Sequence, residues 1–412
     1  MLRPNSPAMT WLLGALVALA PLTMDIYLVS MPSMTGALGA SAAEVQLTLS
    51  VYMFGWGFAQ LVVGPASDRW GRRPVLLWGL ALFVLASGAC ALAQDVHTLI
   101  AARFFQAIGV SAAFVVPRAV VRDLHAAERA GQMLSVMGMI LSVAPIAAPL
   151  LGAYLHVWLG WQANFVFVAA YAAAALAYSA VRLPETLKTP DAGALDPRAM
   201  AASFAALARS RAFLGYLLVA SFSLGSLFAF LAGSSFVFVS VMGAGERGFG
   251  VLFGVVMIGS LLGGFLASRT VLRLGIDGLL RISTAVMLVS GVALAALAWA
   301  GVDHPAAVVV PMFVFMVSFT SSMPQATAGA LTPFPKIAGA ATSLISFCQF
   351  VIASSWALAV GLAYDGTQRP MTTAIALGAL LTFGAFWLVV RPARAALALE
   401  LAGPRSAGRP RR

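Results

Sequence analysis

Twelve runs of roughly 20 mostly apolar residues follow one another along the chain, each long enough for a helix to cross the hydrocarbon core of a bilayer. They fall at about 10–30, 45–64, 75–93, 98–118, 131–154, 162–181, 212–234, 250–268, 279–300, 306–328, 338–361 and 371–390. Unbroken apolar stretches with Gly inside them and Pro near their ends predict helices, which satisfy their own backbone hydrogen bonds in lipid; the two-residue alternation of a β-barrel is missing. Charge agrees with this. Only 9% of the 412 residues are charged against 61% apolar, too few to coat a water-soluble surface, where roughly 25% is usual. The expected fold is an all-α integral membrane protein with twelve transmembrane helices. Ala18-Leu19-Ala20 has the form of a signal-peptide cleavage site, but the apolar character continues past Pro21 to Met31, so the first run is read as a span.

The formal charge of +11 invites a nucleic-acid reading until the basic residues are located. With the N-terminus in the cytoplasm, 22 of the 25 Lys and Arg fall in segments on the inner side, from Arg3 through the Arg69 and Arg118 loops to the last residues of the chain. Arg247 and Arg369 fall outside and Arg103 within a span. The positive-inside rule therefore predicts both termini in the cytoplasm, and the basicity reports topology rather than a nucleic-acid partner. The longest inner connection, with Pro184, Pro190 and Pro197, divides the spans six and six. The predicted layout is a six-helix bundle over 1–181, a cytoplasmic linker over 182–211, a second six-helix bundle over 212–391 and a basic cytoplasmic tail over 392–412. Within the linker, 197–211 has the pattern of a short amphipathic helix. Arg69-Trp70-Gly71 after the second span has a counterpart in Arg273-Leu274-Gly275 after the eighth, at an offset of half the chain, as expected of an internal repeat.

Ionisable groups inside a membrane cost about 2.5–3.5 kcal/mol each on insertion scales, so they are the first candidates for function. Two qualify. Asp25 lies in the outer part of the first span between Met24 and Ile26, and a carboxyl withdrawn from water there can take and release a proton near neutral pH. Arg103 enters the fourth span beside Gln106 and Gly109, as a partner charge or as an anchor that snorkels to the surface. Cys90 and Cys348 lie in apolar runs, and His97, His125, His156 and His304 stand at or near run ends, so no disulfide framework, metal site or cofactor is expected. An enzyme is not expected either, because no Ser-His-Asp set, HExxH motif or P-loop occurs. Without a nucleotide site the chain has no ATP-driven engine of its own, and one buried acid fits poorly with a channel.

The most particular motif is GPASDRWGRRPVL, Gly64 to Leu76, a turn that sets one acid among three arginines between two spans. It resembles the loop between the second and third helices of the major facilitator superfamily. MDIYLVSMP, RFFQAIGVSAA with AVVRD, and GMILSVAPIAAPLLG are similar to motifs of its twelve-span drug:proton antiporters, of the Bcr/CflA type. Val29 stands where Pro is usual, Ala107 where Gly is frequent, and Ala144 precedes Pro145 where Gly is common. The likeness is close through the first half and weaker in the second, where TPFPKIAGAATSL is the best match.

That resemblance implies the major facilitator fold, two bundles rocking about a central cavity, in a protein of the bacterial inner membrane. It would be a monomer whose partners are small molecules, protons and the lipid bilayer. The implied activity is proton-driven export of small amphiphilic drugs, phenicol- or bicyclomycin-like, or of metabolites, by alternating access. Asp25 would be the coupling carboxyl and Arg103 its modulator; Gly64, Asp68, Arg69, Gly71, Arg72 and Arg73, with Asp123, would form a cytoplasmic gate. Gly138, Pro145, Pro149 and Gly152 would make the antiporter helix, where Pro removes backbone donors and Gly allows close packing. Tyr52 and Gln106 are the pocket candidates; Phe54, Phe58, Phe228, Phe230, Phe236, Phe238, Trp56 and Met257 offer further aromatic or compliant surface. An importer of the same superfamily, or a sensor on the same fold that transports nothing, would share most of these features.

Overall fold

The computed structural model describes residues 6–394, except the side chains of Ala127, Glu128, Ser142 and Lys336. Arg3 and the tail from 395 onward lie outside the described residues. Every regular element among those described is helical. The helices are α1 (Pro7–Asp25), α2 (Met31–Ala37), α3 (Ala42–Trp70), α4 (Arg72–Leu92), α5 (Val96–Leu124), α6 (Ala127–Leu159), α7 (Gln162–Arg182), α8 (Pro197–Ala208), α9 (Arg211–Ser235), α10 (Gly245–Trp299), α11 (Pro305–Leu331), α12 (Ala338–Leu362) and α13 (Arg369–Ala385). Eleven stretches are long and apolar enough to cross a membrane, the first combining α1 and α2. The longest, α10, is broken at Gly275 and supplies the eighth and ninth of the twelve runs.

Local chemistry sets these boundaries. Ser41 and Glu44 close a reciprocal capping box at the start of α3, and Asp95 accepts from the Thr98 backbone at 2.8 Å to begin α5. Pro197 and Pro305 stand in the first turns of α8 and α11, where no donor is lost. Gly71 (φ 102°) separates α3 from α4 and Gly275 (φ 69°) divides α10, conformations costly for any other residue. The repeat read from Arg-x-Gly thus ends in the same backbone device at both places. The amphipathic linker segment is α8, whose Leu207 is buried against the second half.

In the first half α5 packs on α1, α3 and α4, with α7 against α4 and α6 against α1; in the second, α9 and α10 organise α11, α12 and α13. Across the halves α3 meets α12 and α6 meets α10. The linker marks one face of the molecule. At the opposite face the halves are closed: α2 touches the π-type turn Phe236–Val241, Gln46 abuts Gly361, and His156 Nε2 lies 3.9 Å from Glu246 Oε1. At mid-depth Ser354 Oγ donates to the Ser50 carbonyl at 2.8 Å, and Trp56 stacks on Phe350 with centroids 4.7 Å apart. Beyond Trp56 toward the linker face, no hydrogen bond or ion pair joins the halves among the described residues. The second half has its own apolar cluster there, built from Leu207, Phe213, Tyr216, Ile345 and Phe386.

Candidate functional site

The first span is interrupted where its acid sits. Pro32, in the first turn of α2, cannot donate to the Leu28 carbonyl and its ring would collide with it in a continuous helix. The chain therefore leaves α1 at Asp25, makes a short 3-10 turn over Leu28–Ser30 and resumes as α2. The span reaches Ala37, beyond the predicted end near 30, so Asp25 lies nearer the middle of the span than the apolar run suggested. It is 1% exposed, and its Oδ1 has no hydrogen-bond partner.

Arg103 is fully buried on α5 and does not snorkel to a surface. Its guanidinium lies between two ring faces, 4.2 Å from the Tyr27 centroid and 4.0 Å from that of Tyr52. Nη1 donates to Gln106 Oε1 at 2.6 Å, and Gln106 Nε2 donates to Ser87 Oγ at 2.8 Å. Arg103 Nε and Nη2 and the Tyr52 hydroxyl have no partner. No ion pair joins Asp25 to Arg103; Tyr52 lies within electrostatic reach of both. A buried cation held by quadrupoles and one amide, near a carboxyl with no counter-ion, leaves donors and an acid free for a ligand and a proton.

The fifth-span motif meets this site directly. A Cβ on Gly152 of α6 would run into the Ile26 carbonyl, one residue from Asp25, so the helices approach this closely only because the side chain is a hydrogen. Gly138 differs, since a Cβ there would meet nothing within 4 Å. α6 continues as one helix through Pro145 and Pro149, and the Pro149 carbonyl faces Gly250 of the second half.

Arg72 organises the loop after the second span. Its Nη1 bonds Asp68 and Ser67, and its Nε donates to Asp123 Oδ2 at 2.9 Å. Arg73 Nη2 donates to the Ala180 carbonyl at 2.6 Å, whereas Arg69 is exposed and Gly64 has open space around it. Glu185, which the sequence reading did not single out, accepts the Arg72 and Arg73 backbone amides at 3.0 and 3.1 Å. Asp191 N donates to the Asp68 carbonyl at 3.0 Å, so the loop clasps the start of the linker. Every partner found for it belongs to the first half or the linker. An acid just after Pro184, where the seventh helix ends, was the available signal for Glu185. At the related break in the second half, Asp277 accepts from the Tyr216 hydroxyl and from Arg394 Nε, the latter at 3.2 Å.

Among the aromatic candidates, Phe228, Phe230, Phe236, Phe238 and Met257 are buried in the core, while Phe54 and Phe58 are exposed. Trp56 bridges the halves by stacking on Phe350. Tyr27 stands two residues from Asp25, yet a Tyr in an apolar run carries no sign in the sequence that it will face an arginine.

Comparison with known proteins bears on this geometry. The family model described as Major Facilitator Superfamily matches residues 13–358. A bicyclomycin resistance protein homolog of Haemophilus influenzae is 30% identical over 87% of this chain and 90% of its own. A chloramphenicol resistance protein of Pseudomonas aeruginosa is 31% identical over 84% of this chain and 81% of its own. A solved structure of the xylose transporter XylE from E. coli, described as partially occluded and inward open, covers 98% of this chain and 99% of its own with a TM-score of 0.70 at 14% identity, a likeness of fold alone.

Proposed function

The chain belongs to the Major Facilitator Superfamily, and on that premise we propose that it exports small amphiphilic drugs, phenicol- and bicyclomycin-like compounds among them, in exchange for protons. The observation that carries the coupling is Asp25: a carboxyl buried at a break in the first span, with an unpartnered oxygen and no cation paired to it. Such a group is stable in lipid only when neutral or when a ligand or proton compensates it. In this reading Asp25 is protonated when the site faces outside, and incoming drug displaces the proton on the inside. Arg103, fixed between Tyr27 and Tyr52, modulates that exchange through the field at Tyr52 and offers its free donors to the drug. The residues 1–181 and 212–391 rock as two bundles about this site, with the Arg72 clasp as the gate on the linker face. The linker face is cytoplasmic, because the basic residues concentrate there, and the protein works as a monomer in the inner membrane.

Drug-stimulated proton release from inverted vesicles tests the reading, with wild type and Asp25→Asn compared across phenicols, bicyclomycin and lipophilic cations. Release by at least one compound, lost in the Asn variant at equal expression, is the expected result. Release that persists in the variant removes Asp25 from coupling. Silence in the wild type, with uptake only in right-side-out vesicles, makes the protein an importer.

A further inference from the structure

A second arginine lies within a helix of the membrane-spanning set with no acid paired to it among the described residues. Arg118 follows Pro117 on α5, which runs on to Leu124, six residues past the predicted end of that span. Arg118 is part-buried, and its guanidinium carbon lies over the Phe114 ring, 3.8 Å from the centroid. Phe114 meets Trp56 edge-on at 5.2 Å, and Trp56 stacks on Phe350 of the other half. Arg118 makes no hydrogen bond or ion pair with any described residue, although Asp123 lies one turn and a residue further along the helix; that acid is taken up by Arg72 and Thr186. The next charged residue along the helix, Arg122, is another cation. A second donor in the same aromatic group, Trp56 Nε1, is buried and also without an acceptor.

A guanidinium held over a ring and without a hydrogen-bond partner keeps its N–H donors available, and two of them can hold a carboxylate by parallel hydrogen bonds. Arg118 lies one turn beyond Phe114 toward the end of α5, and Phe114 meets Trp56, the residue that stacks across to Phe350 of the other half. A ligand entering between the halves from the linker face would meet the Arg118 guanidinium, with the buried Trp56 Nε1 behind it as a second unpartnered donor. We propose that Arg118, with Phe114 and Trp56, binds the anionic end of an aromatic amphiphile, so that the protein accepts aromatic carboxylates as well as neutral drugs. This rests on the transport reading above, since it assigns a chemistry to ligands that enter between the halves.

The test is calorimetric titration of the purified full-length protein in nanodiscs at fixed pH, with naphthoate and its uncharged isostere naphthamide as probes. Wild type is expected to bind naphthoate about tenfold or more tightly than naphthamide, as a charge-assisted bidentate pair gives. Arg118→Gln is expected to remove that preference while changing naphthamide affinity less than about twofold. If the Gln variant fails to purify, Arg118→Lys carries the test: it keeps the charge, loses the planar fork and should weaken naphthoate severalfold. Equal affinity for the two probes, no naphthoate binding, or a preference that survives in the variants overturns the proposal. A preference seen in phosphatidylcholine discs but abolished by phosphatidylglycerol assigns the cation to a lipid headgroup and also overturns it. Asp25→Asn is expected to retain the preference, so failure of proton coupling in the vesicle assay and failure here are separate results.

Discussion

Replacing Gly152 by alanine adds one methyl group at the point where α6 touches the first span. The added carbon would overlap the Ile26 carbonyl oxygen, a backbone atom that cannot rotate aside. Relief requires the helices to part by about 1.5 Å to restore an ordinary contact distance. Two opposing terms apply. Alanine in a helix interior is favoured over glycine by about 1 kcal/mol, and overpacking a tight interface costs about 1–3 kcal/mol. Gly131→Ala, on the same helix with nothing within 4 Å of its Cβ, should show only the first term. The two variants should therefore differ by about 1–3 kcal/mol, a separation of a few degrees in thermal unfolding of the purified protein. Function should separate them more widely, because the parting occurs beside Asp25: a misplacement of about 1 Å at a reacting group can cost up to about 100-fold. The assay is initial drug-driven proton flux in proteoliposomes at matched protein density. Gly152→Ala with wild-type flux, or Gly131→Ala as impaired as Gly152→Ala, would refute the argument that this contact positions the acid.

Gly71→Ala and Gly275→Ala share the backbone strain of a positive φ, about 1–3 kcal/mol, but only at Gly71 would the new carbon also strike Glu185, so Gly71→Ala should lower the unfolding temperature further; equal shifts would discount the clasp. Arg103→Lys should destabilise the protein by about 1–3 kcal/mol in thermal unfolding, since a compact ammonium cannot replace a guanidinium that reaches both the Tyr27 and Tyr52 rings; an unchanged transition would show that these contacts contribute nothing. Tyr52→Phe should leave stability unchanged or raise it by up to about 1 kcal/mol, because the buried hydroxyl has no partner, and a clear loss would mean that it has one. In a double-mutant cycle His156→Ala and Glu246→Ala should couple by less than about 1 kcal/mol at neutral pH, given a separation of 3.9 Å and partial exposure; stronger coupling would make this pair a principal lock between the halves.

Much of the molecule can be read along the chain because a bilayer allows few solutions. Length and apolarity give the spans, which differ from expectation mainly where a helix runs past the end of its apolar run: the first reaches Ala37 and the fourth Leu124. The two Arg-x-Gly breaks and the helical linker segment were equally legible, since glycine conformation and proline placement are local properties. Asp25 and Arg103 could be named because charge is expensive in lipid wherever the chain goes afterwards. What held them could not. Arg103 lies between rings from two other helices and Gly152 lies on the Ile26 carbonyl across 126 residues of chain, contacts that exist only once the helices have chosen neighbours and rotations. The same is true of Arg118, which the topology rule reads as one more positive charge at a span end. Its stacking on Phe114, and its freedom from any acid, follow from tertiary packing that commits Asp123 to Arg72. Periodicity and composition report how each segment partitions between water and lipid, a free energy summed over that segment alone. Which buried charge meets which ring, and which is left unpaired, depends on relative helix positions that no single segment encodes.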